Sequence, residues 1–157
     1  METINVFYID DDIEYLSLIT SRLCEIAKNY NINVVTYTFN CQKELQKFIE
    51  KKPEINCDLF ITDYNLGSTD GFTLVKTIKD YFPNAIYILI TSKGDKELVS
   101  KLIETEIDFY FHESIPIIFL AYVLVSIIKL INRIKLLEFR LSCQEKNNNN
   151  NLPYSRN

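Results

Sequence analysis

The sequence has few of the residues on which several classes of functional site depend. Only 3 of its 157 residues are glycine, and it contains neither a glycine-rich phosphate-binding loop nor the nucleophile elbow of a hydrolase. It has one histidine, and its four cysteines form no CxxC motif and no paired spacing (Cys24, Cys41, Cys57 and Cys143). A zinc site and a disulfide framework are therefore disfavoured, and reduced thiols in a cytoplasmic protein are expected.

Three further absences concern targeting and partners. The N-terminus, METINVFYIDDD, has acids where a secretory signal needs a long apolar stretch, so a cytoplasmic location is expected. The net charge is -4, which argues against direct binding of this domain to nucleic acid. The uncharged run 114–128 is shorter than the roughly 20 apolar residues of a membrane span, so no membrane segment is predicted.

Apolar residues alternate between strand and helix patterns along the chain. Strands are predicted at 4–9, 33–39, 59–62, 85–90 and 108–111, and helices at 13–29, 41–51, 72–81, around Leu98 and Leu102, and from 114 to about 144. Five such units in succession predict an α/β fold with right-handed crossovers and a parallel sheet covered by helices on both faces. We expect this domain to cover residues 1–128, followed by a helical extension or linker at 129–146 and a disordered tail at 147–157.

The last predicted helix carries two apolar stripes. One follows alternating 4,3 spacing and is broken only by Glu138 (Leu120, Leu124, Ile127, Ile131, Ile134 and Leu141), and the other repeats every seven residues (Val123, Leu130 and Leu137). One stripe can pack on the sheet, but the part of it that extends past the domain must be buried by another packing partner. A homodimer through this helix is expected, and the rival interpretation is that the strip packs on a missing C-terminal effector domain.

Acidic and hydroxyl side chains follow three of the predicted strands. Asp10, Asp11 and Asp12 come after the first strand, Asp63 after the third and Thr91 after the fourth. Functional sites of such sheets lie at the carboxyl ends of the strands. Clustered carboxylates need a cation, and oxygen ligands suit Mg²⁺. The sequence therefore predicts a magnesium site in which Asp63 could receive a phosphoryl group, while Asp12 is expected to cap the first helix.

Three segments carry a resemblance to a known family. VFYIDDD, LFITDYNLGSTDG and ILITS resemble the acid pair, the phosphoacceptor loop and the strand-four hydroxyl of response regulator receiver domains in two-component signalling. The resemblance covers about residues 3–128. It implies a flavodoxin-like, doubly wound five-stranded parallel sheet of order 2-1-3-4-5 with an extended C-terminal helix.

The same resemblance implies roles for individual residues. Asp63 is the expected phosphoacceptor, and the expected magnesium ligands are Asp10, Asp11, Asp63 and the backbone carbonyl of Asn65. Thr91 and Tyr110 are the expected switch residues. A sensor histidine kinase is the implied partner, and the implied role is not enzymatic, apart from the domain's own phosphorylation and dephosphorylation.

One position departs from the receiver pattern. Twenty-two residues after Thr91, where the family has lysine followed by proline, this chain has Glu113 followed by Ser114. Lys93 could supply a substitute charge, although a lysine in a loop is more often simply solvated. Two interpretations stay open: a receiver that switches on phosphorylation, and a pseudo-receiver that acts as a phosphorylation-independent dimerisation or docking module. The intact acid set favours the first.

Overall fold

Five strands alternate with five helices in the structure, which is a computed structural model that describes residues 3–92 and 96–150. The elements are β1 (Ile4–Ile9), α1 (Ile13–Asn29), β2 (Val34–Phe39), α2 (Gln42–Lys51), β3 (Leu59–Asp63), α3 (Gly71–Lys79), β4 (Ile86–Thr91), α4 (Lys96–Thr105), β5 (Phe109–His112) and α5 (Ile117–Asn150). All neighbouring strands pair in parallel, in the order β2-β1-β3-β4-β5. This is the flavodoxin-like sheet that the family resemblance implies.

The apolar run of β1 is buried on both faces of the sheet. Ile4, Val6 and Tyr8 point toward α1 and α5, whereas Phe7 and Ile9 point toward the layer of α2 and α3. Successive side chains of a strand alternate between faces, so a continuous apolar run is what a strand covered on both sides requires. The helices accordingly form two layers, with α1 and α5 on one face and α2, α3 and α4 on the other.

Helix α5 belongs to the domain core over its first half only. Four residues of the 4,3 stripe are buried in the core that it shares with α1 and the sheet (Leu120, Leu124, Ile127 and Ile131). Past Ile131 the same stripe is exposed at Ile134 and Leu141. Near this point the Lys135 ammonium pairs at 2.8 Å with the buried Asp58 carboxylate, beside the start of β3. The helix therefore continues beyond the body of the domain.

The end of α5 differs from the predicted tail. The helix runs to Asn150 and so includes residues 147–150, which were expected to be disordered, whereas residues 151–157 lie outside the described residues. Because each backbone N–H of a helix bonds to the carbonyl four residues earlier, an established helix can extend into a polar run that would not start one.

Helix α5 is also the one helix of the described chain that is long and apolar enough to cross a membrane. The span by length and composition is Ile117–Lys146, and 39% of its most apolar window is buried inside the protein. The core helix of a soluble protein passes the same test. Because Leu120 and Leu124 are buried against the sheet, the first part of this segment is a core helix of the domain.

Candidate metal centre

Three carboxylates meet at the carboxyl ends of the two central strands. Asp10 and Asp11 follow β1, and Asp63 is the last residue of β3, which pairs with β1. One oxygen from each carboxylate lies within 4.8 Å of the others. Asp10 and Asp63 are only 5% and 8% exposed, while Asp11 is exposed to solvent. The structure therefore brings together the three side chains that the sequence predicts as metal ligands.

Backbone and hydroxyl donors fix the orientation of Asp10. Its Oδ1 accepts the N–H of Asp12 at 2.9 Å, and its Oδ2 accepts the hydroxyl of Tyr8 at 3.4 Å. The Asp12 side chain accepts the N–H of Tyr15 at 3.0 Å and is the N-cap of α1, as expected. The three consecutive acids thus have different environments, and Asp12 caps α1 instead of joining the carboxylate cluster.

The loop after β3 holds Asp63 in place. Its Oδ1 accepts the N–H of Tyr64 at 2.6 Å, and its Oδ2 accepts the N–H of Asn65 at 3.0 Å. The loop closes where the N–H of Gly71 donates to the carbonyl of Tyr64 at 2.8 Å. A Cβ at position 71 would lie 2.5 Å from the Asp63 carbonyl oxygen. Only glycine therefore allows this close approach between the end of β3 and the start of α3.

Burial and negative charge raise the pKa of both buried carboxyls. Burial, together with the charges of Asp63 and Asp11, raises the pKa of Asp10 to about 7 against the opposing backbone hydrogen bond from Asp12. Burial raises the pKa of Asp63 to about 6, helped by the charges of Glu113 and Asp11 and opposed by its two backbone hydrogen bonds. In the described part of the chain, no lysine or arginine forms an ion pair with these three acids. The cluster is therefore suited to a divalent cation.

The donor set indicates which cation fits. The ligands are carboxylate oxygens, which hard cations prefer, and Mg²⁺ typically binds through one or two carboxylates while retaining several waters. Asp10, Asp11 and Asp63 could hold such an ion, with the exposed side of Asp11 open to water. A thiolate or imidazole site for zinc is not formed here, since these three ligands are all carboxylates.

The two predicted switch residues lie on neighbouring strands, Thr91 on the interior strand β4 and Tyr110 on the edge strand β5. Thr91 ends β4, next to β3, and is 2% exposed. Tyr110 pairs with Leu89 in register on β5 and packs, half-buried, against the cluster that Leu89 forms with Phe72 and Leu98. Thr91 is therefore at the same end of the sheet as the carboxylates, while Tyr110 contacts the layer formed by α3 and α4.

Glu113 lies beside the site although its side chain is exposed. Its N–H donates to the Thr91 carbonyl at 3.1 Å, and its charge contributes to the raised pKa of Asp63. The glutamate at the usual lysine position therefore adds to the negative potential of the cluster. Lys93, the expected source of a substitute charge, lies outside the described residues.

His112 has a structural role that the sequence analysis did not assign. Its Nε2 lies 2.8 Å from the Ser92 carbonyl oxygen, and its Nδ1 accepts the N–H of Ser114 at 3.1 Å. The imidazole therefore donates from Nε2 and connects the end of β5 to the residue after β4. The sequence shows a lone histidine, and only the register of the two strands identifies its partner.

Tyr15 is a second residue of the site that the sequence analysis missed. Its hydroxyl oxygen is buried and has no hydrogen-bond partner within the described residues. Burial, together with the charges of Glu113, Asp10 and Asp63, raises its pKa to about 12. The phenol is therefore a neutral donor beside the carboxylates. Its position three residues after the N-cap Asp12 is the one signal in the sequence that could have indicated it.

Comparison with known proteins decides the family. Residues 6–118 match the response regulator receiver domain. The chain belongs to this family. A protein-glutamate methylesterase/protein-glutamine glutaminase of Geobacter sulfurreducens is 31% identical over 104 residues, which are 66% of this chain and 26% of that protein. The Arabidopsis thaliana protein described as two-component response regulator ARR13 is 34% identical over 94 residues, 60% of this chain and 16% of its own length.

Solved receiver domains have the same fold. A BeF3-activated DrrB receiver domain superposes with a TM-score of 0.65 at 20% identity, covering 84% of this chain and 99% of that one. A CheY-like receiver domain protein from Methanospirillum hungatei has a TM-score of 0.65 at 17% identity, covering 84% and 96%. The chain is thus a receiver domain of two-component signalling, and it spans about a quarter and a sixth of the two curated relatives' lengths.

Proposed function

We propose that this receiver domain accepts a phosphoryl group on Asp63 from a sensor histidine kinase, in a reaction that depends on Mg²⁺. The observation that carries the proposal is the set of three carboxylates within 4.8 Å, with no basic ion-pair partner among the described residues. Such a cluster is costly unless a cation binds there. Asp10, Asp11, Asp63 and the Asn65 carbonyl would hold the ion, which would offset the negative charge of the phosphoryl group.

The surroundings of Asp63 suit a nucleophile. Two backbone N–H groups fix its carboxylate, so that its orientation does not depend on a mobile side chain. A carboxylate oxygen of Asp63 would attack the phosphorus, and the phosphorus–nitrogen bond to the kinase histidine would break. The buried Thr91 hydroxyl and the neutral Tyr15 hydroxyl lie at the same end of the sheet, where they could donate to phosphoryl oxygens.

Partner interactions would respond through β4, β5 and the helices beside them. Thr91 and Tyr110 are the proposed switch residues, and Tyr110 packs against the cluster of Phe72, Leu89 and Leu98. A movement of Thr91 toward a phosphoryl group would change the space available to Tyr110 and α4. The exposed apolar side chains of α4, Val99 and Ile103, lie on this part of the surface and are suited to a partner.

Two further proposals concern the partners of the domain. We propose a cytoplasmic homodimer that pairs through the exposed second half of α5, because its apolar strip has no cover within the described chain. An effector domain is the proposed output partner of the receiver, since the matched curated relatives are several times longer than the matched region. Membrane insertion and direct contact with nucleic acid form no part of the proposed function.

Acetyl phosphate with MgCl₂ tests the proposal directly. Intact mass spectrometry should show one added phosphoryl group, lost in Asp63→Asn and retained in Asp12→Asn. The control is matched, because Asp12 lies beside the metal ligands but is an exposed helix cap. No incorporation into the unmodified chain with either a phosphodonor or a kinase would instead support the pseudo-receiver, a phosphorylation-independent dimerisation or docking module.

A further inference from the structure

The second half of α5 presents an apolar strip to solvent, which we call the α5 seam; Leu136 and Phe139 are exposed outside this strip. It consists of Leu130, Ile134, Leu137 and Leu141, which are 52%, 52%, 56% and 59% exposed. Their spacing of four, three and four residues is the a/d spacing of a coiled coil, with Ile134 and Leu141 at a and Leu130 and Leu137 at d. Gln144 is the next d position.

The α5 seam begins where the helix leaves the domain. The two preceding a positions, Leu120 and Ile127, are buried in the protein's own core. Isoleucine at a with leucine at d, the combination found at Ile134 and its neighbours, favours two strands over three or four. The α5 seam therefore fits one further helix of the same kind, which is consistent with the homodimer proposed above, on which this inference rests.

Charged residues flank the α5 seam in a regular way. The g positions are Arg133 and Arg140, and the e positions are Glu138 and Glu145. All four side chains are exposed, and none takes part in an ion pair recorded within the described chain. No acid lies three or four residues from either arginine, so neither has a partner on its own helix.

We propose that two copies of this chain pair through the α5 seam as a parallel, in-register coiled coil. In a parallel pair each g residue faces the e residue five positions later on the other helix. Arg133 then faces Glu138 of the second copy, and Arg140 faces Glu145 of the second copy, on both sides of the interface. In an antiparallel pair g faces g and e faces e, so that arginine meets arginine and glutamate meets glutamate. The charges therefore select the parallel orientation.

Cross-linking at the first residue of the α5 seam and at the d position just beyond its last residue tests this orientation. In a background with Cys24→Ser, Cys41→Ser and Cys143→Ser, Leu130→Cys and Gln144→Cys are made separately and treated with a short bis-maleimide. The parallel dimer predicts that each variant cross-links to its own copy. The antiparallel dimer predicts cross-links only in the mixture, since like positions at the ends would be roughly 20 Å apart along the axis. Ser142→Cys, on another face of α5, is the control that should not cross-link.

Charge reversal tests the role of the flanking residues. Arg133→Glu with Arg140→Glu makes an all-acidic flank, and Glu138→Arg with Glu145→Arg makes an all-basic one. By sedimentation, each variant alone should dimerise at least roughly tenfold more weakly, because four attractive pairs become repulsive. An equimolar mixture should form the heterodimer.

The outcomes separate this inference from the proposal beneath it. A monomeric unmodified chain would refute the homodimer and the coiled coil together. A dimer that cross-links only in the mixture, or that is unaffected by charge reversal, would refute the parallel coiled coil but leave the homodimer. Phosphorylation of Asp63, read by intact mass, is independent of both results.

Discussion

The buried carboxylates make the stability of the metal-free protein fall as the pH rises. In the folded state the pKa of Asp10 is about 7 and that of Asp63 about 6, whereas an aspartate in an unfolded chain titrates near about 3.9. Between about pH 4 and pH 7 the folded protein therefore binds more protons than the unfolded chain. The free energy of unfolding then decreases as the pH increases, because ionisation of these acids is easier in the unfolded state.

The size of the effect can be taken from Asp10. Its pKa rises from 3.8 to about 7, and one pKa unit corresponds to about 1.4 kcal/mol. Full ionisation of Asp10 therefore costs the folded state about 4 kcal/mol, which is a large part of the roughly 5–15 kcal/mol that stabilises a typical domain. A bound cation removes this cost, so the effect should be confined to metal-free protein.

Asp10→Asn is the variant that tests the calculation. The amide has no charge, and its oxygen can still accept the N–H of Asp12. The longer hydrogen bond from the Tyr8 hydroxyl to the second carboxylate oxygen is lost. Loss of the Tyr8 hydrogen bond should cost about 1 kcal/mol, which is subtracted from the roughly 4 kcal/mol gained by removing the charge. Without metal, at about pH 8, the free energy of unfolding of the variant should therefore exceed that of the natural protein by on the order of 2–3 kcal/mol. At about pH 4 the advantage should disappear.

Urea unfolding across this pH range, with EDTA or with millimolar MgCl₂, measures the difference. Asp12→Asn is the matched control, because an asparagine at the N-cap preserves the cap of α1 and leaves Asp10 in place. Magnesium should stabilise the natural protein and the control more than it stabilises Asp10→Asn. A metal-free natural protein whose stability is constant or rises between about pH 4 and pH 8 would refute the reasoning.

Three other substitutions have defined outcomes. Glu113→Lys should lower the pKa of Asp63 and strengthen the phosphate-dependent conformational change, read from the NMR shifts of Tyr110; unchanged shifts would show that Glu113 is electrostatically unimportant. Gly71→Ala should destabilise the fold by about 1–3 kcal/mol in urea, because its Cβ would lie 2.5 Å from the Asp63 carbonyl. Asp12→Ala should cost about 1 kcal/mol by loss of the α1 cap, and a neutral result would exclude a capping role.

The sheet could be predicted because its strands are marked locally. The continuous apolar run of β1 ends at an acid cluster, and the structure places the strand at Ile4–Ile9 as predicted. The boundaries of α3 differ more, since it begins at Gly71 and ends at Lys79, whereas 72–81 was predicted. The strand order came from the family resemblance, because period and composition do not determine which strands become neighbours.

The carboxylate cluster could be predicted from one topological rule, that functional side chains follow the carboxyl ends of parallel strands. The contributions of Tyr15 and His112 could not. Tyr15 is identified by its buried hydroxyl, which lies beside acids from other elements. His112 is identified by the hydrogen bond between its Nε2 and the Ser92 carbonyl oxygen, which connects the ends of two strands. Both depend on distances between distant parts of the chain, which no local pattern encodes. The exposed position of Glu113 was likewise one of two possibilities until the structure was known.

Helix α5 shows why composition alone does not distinguish a core helix, a coiled coil and a membrane span. Its apolar character comes from two consecutive segments in different surroundings. The first has one apolar face buried in the domain core, and the second has exposed apolar side chains that include the α5 seam. Charged residues of the helix begin at Lys129 and recur at nearly every turn after it (Arg133, Lys135, Glu138, Arg140, Glu145 and Lys146). A span needs roughly 20 apolar residues without such interruption. The apolar length of α5 therefore arises from joining a core helix to an exposed segment with a/d spacing, and the point where they join is Ile131, the last residue of the helix that the domain buries among the described residues.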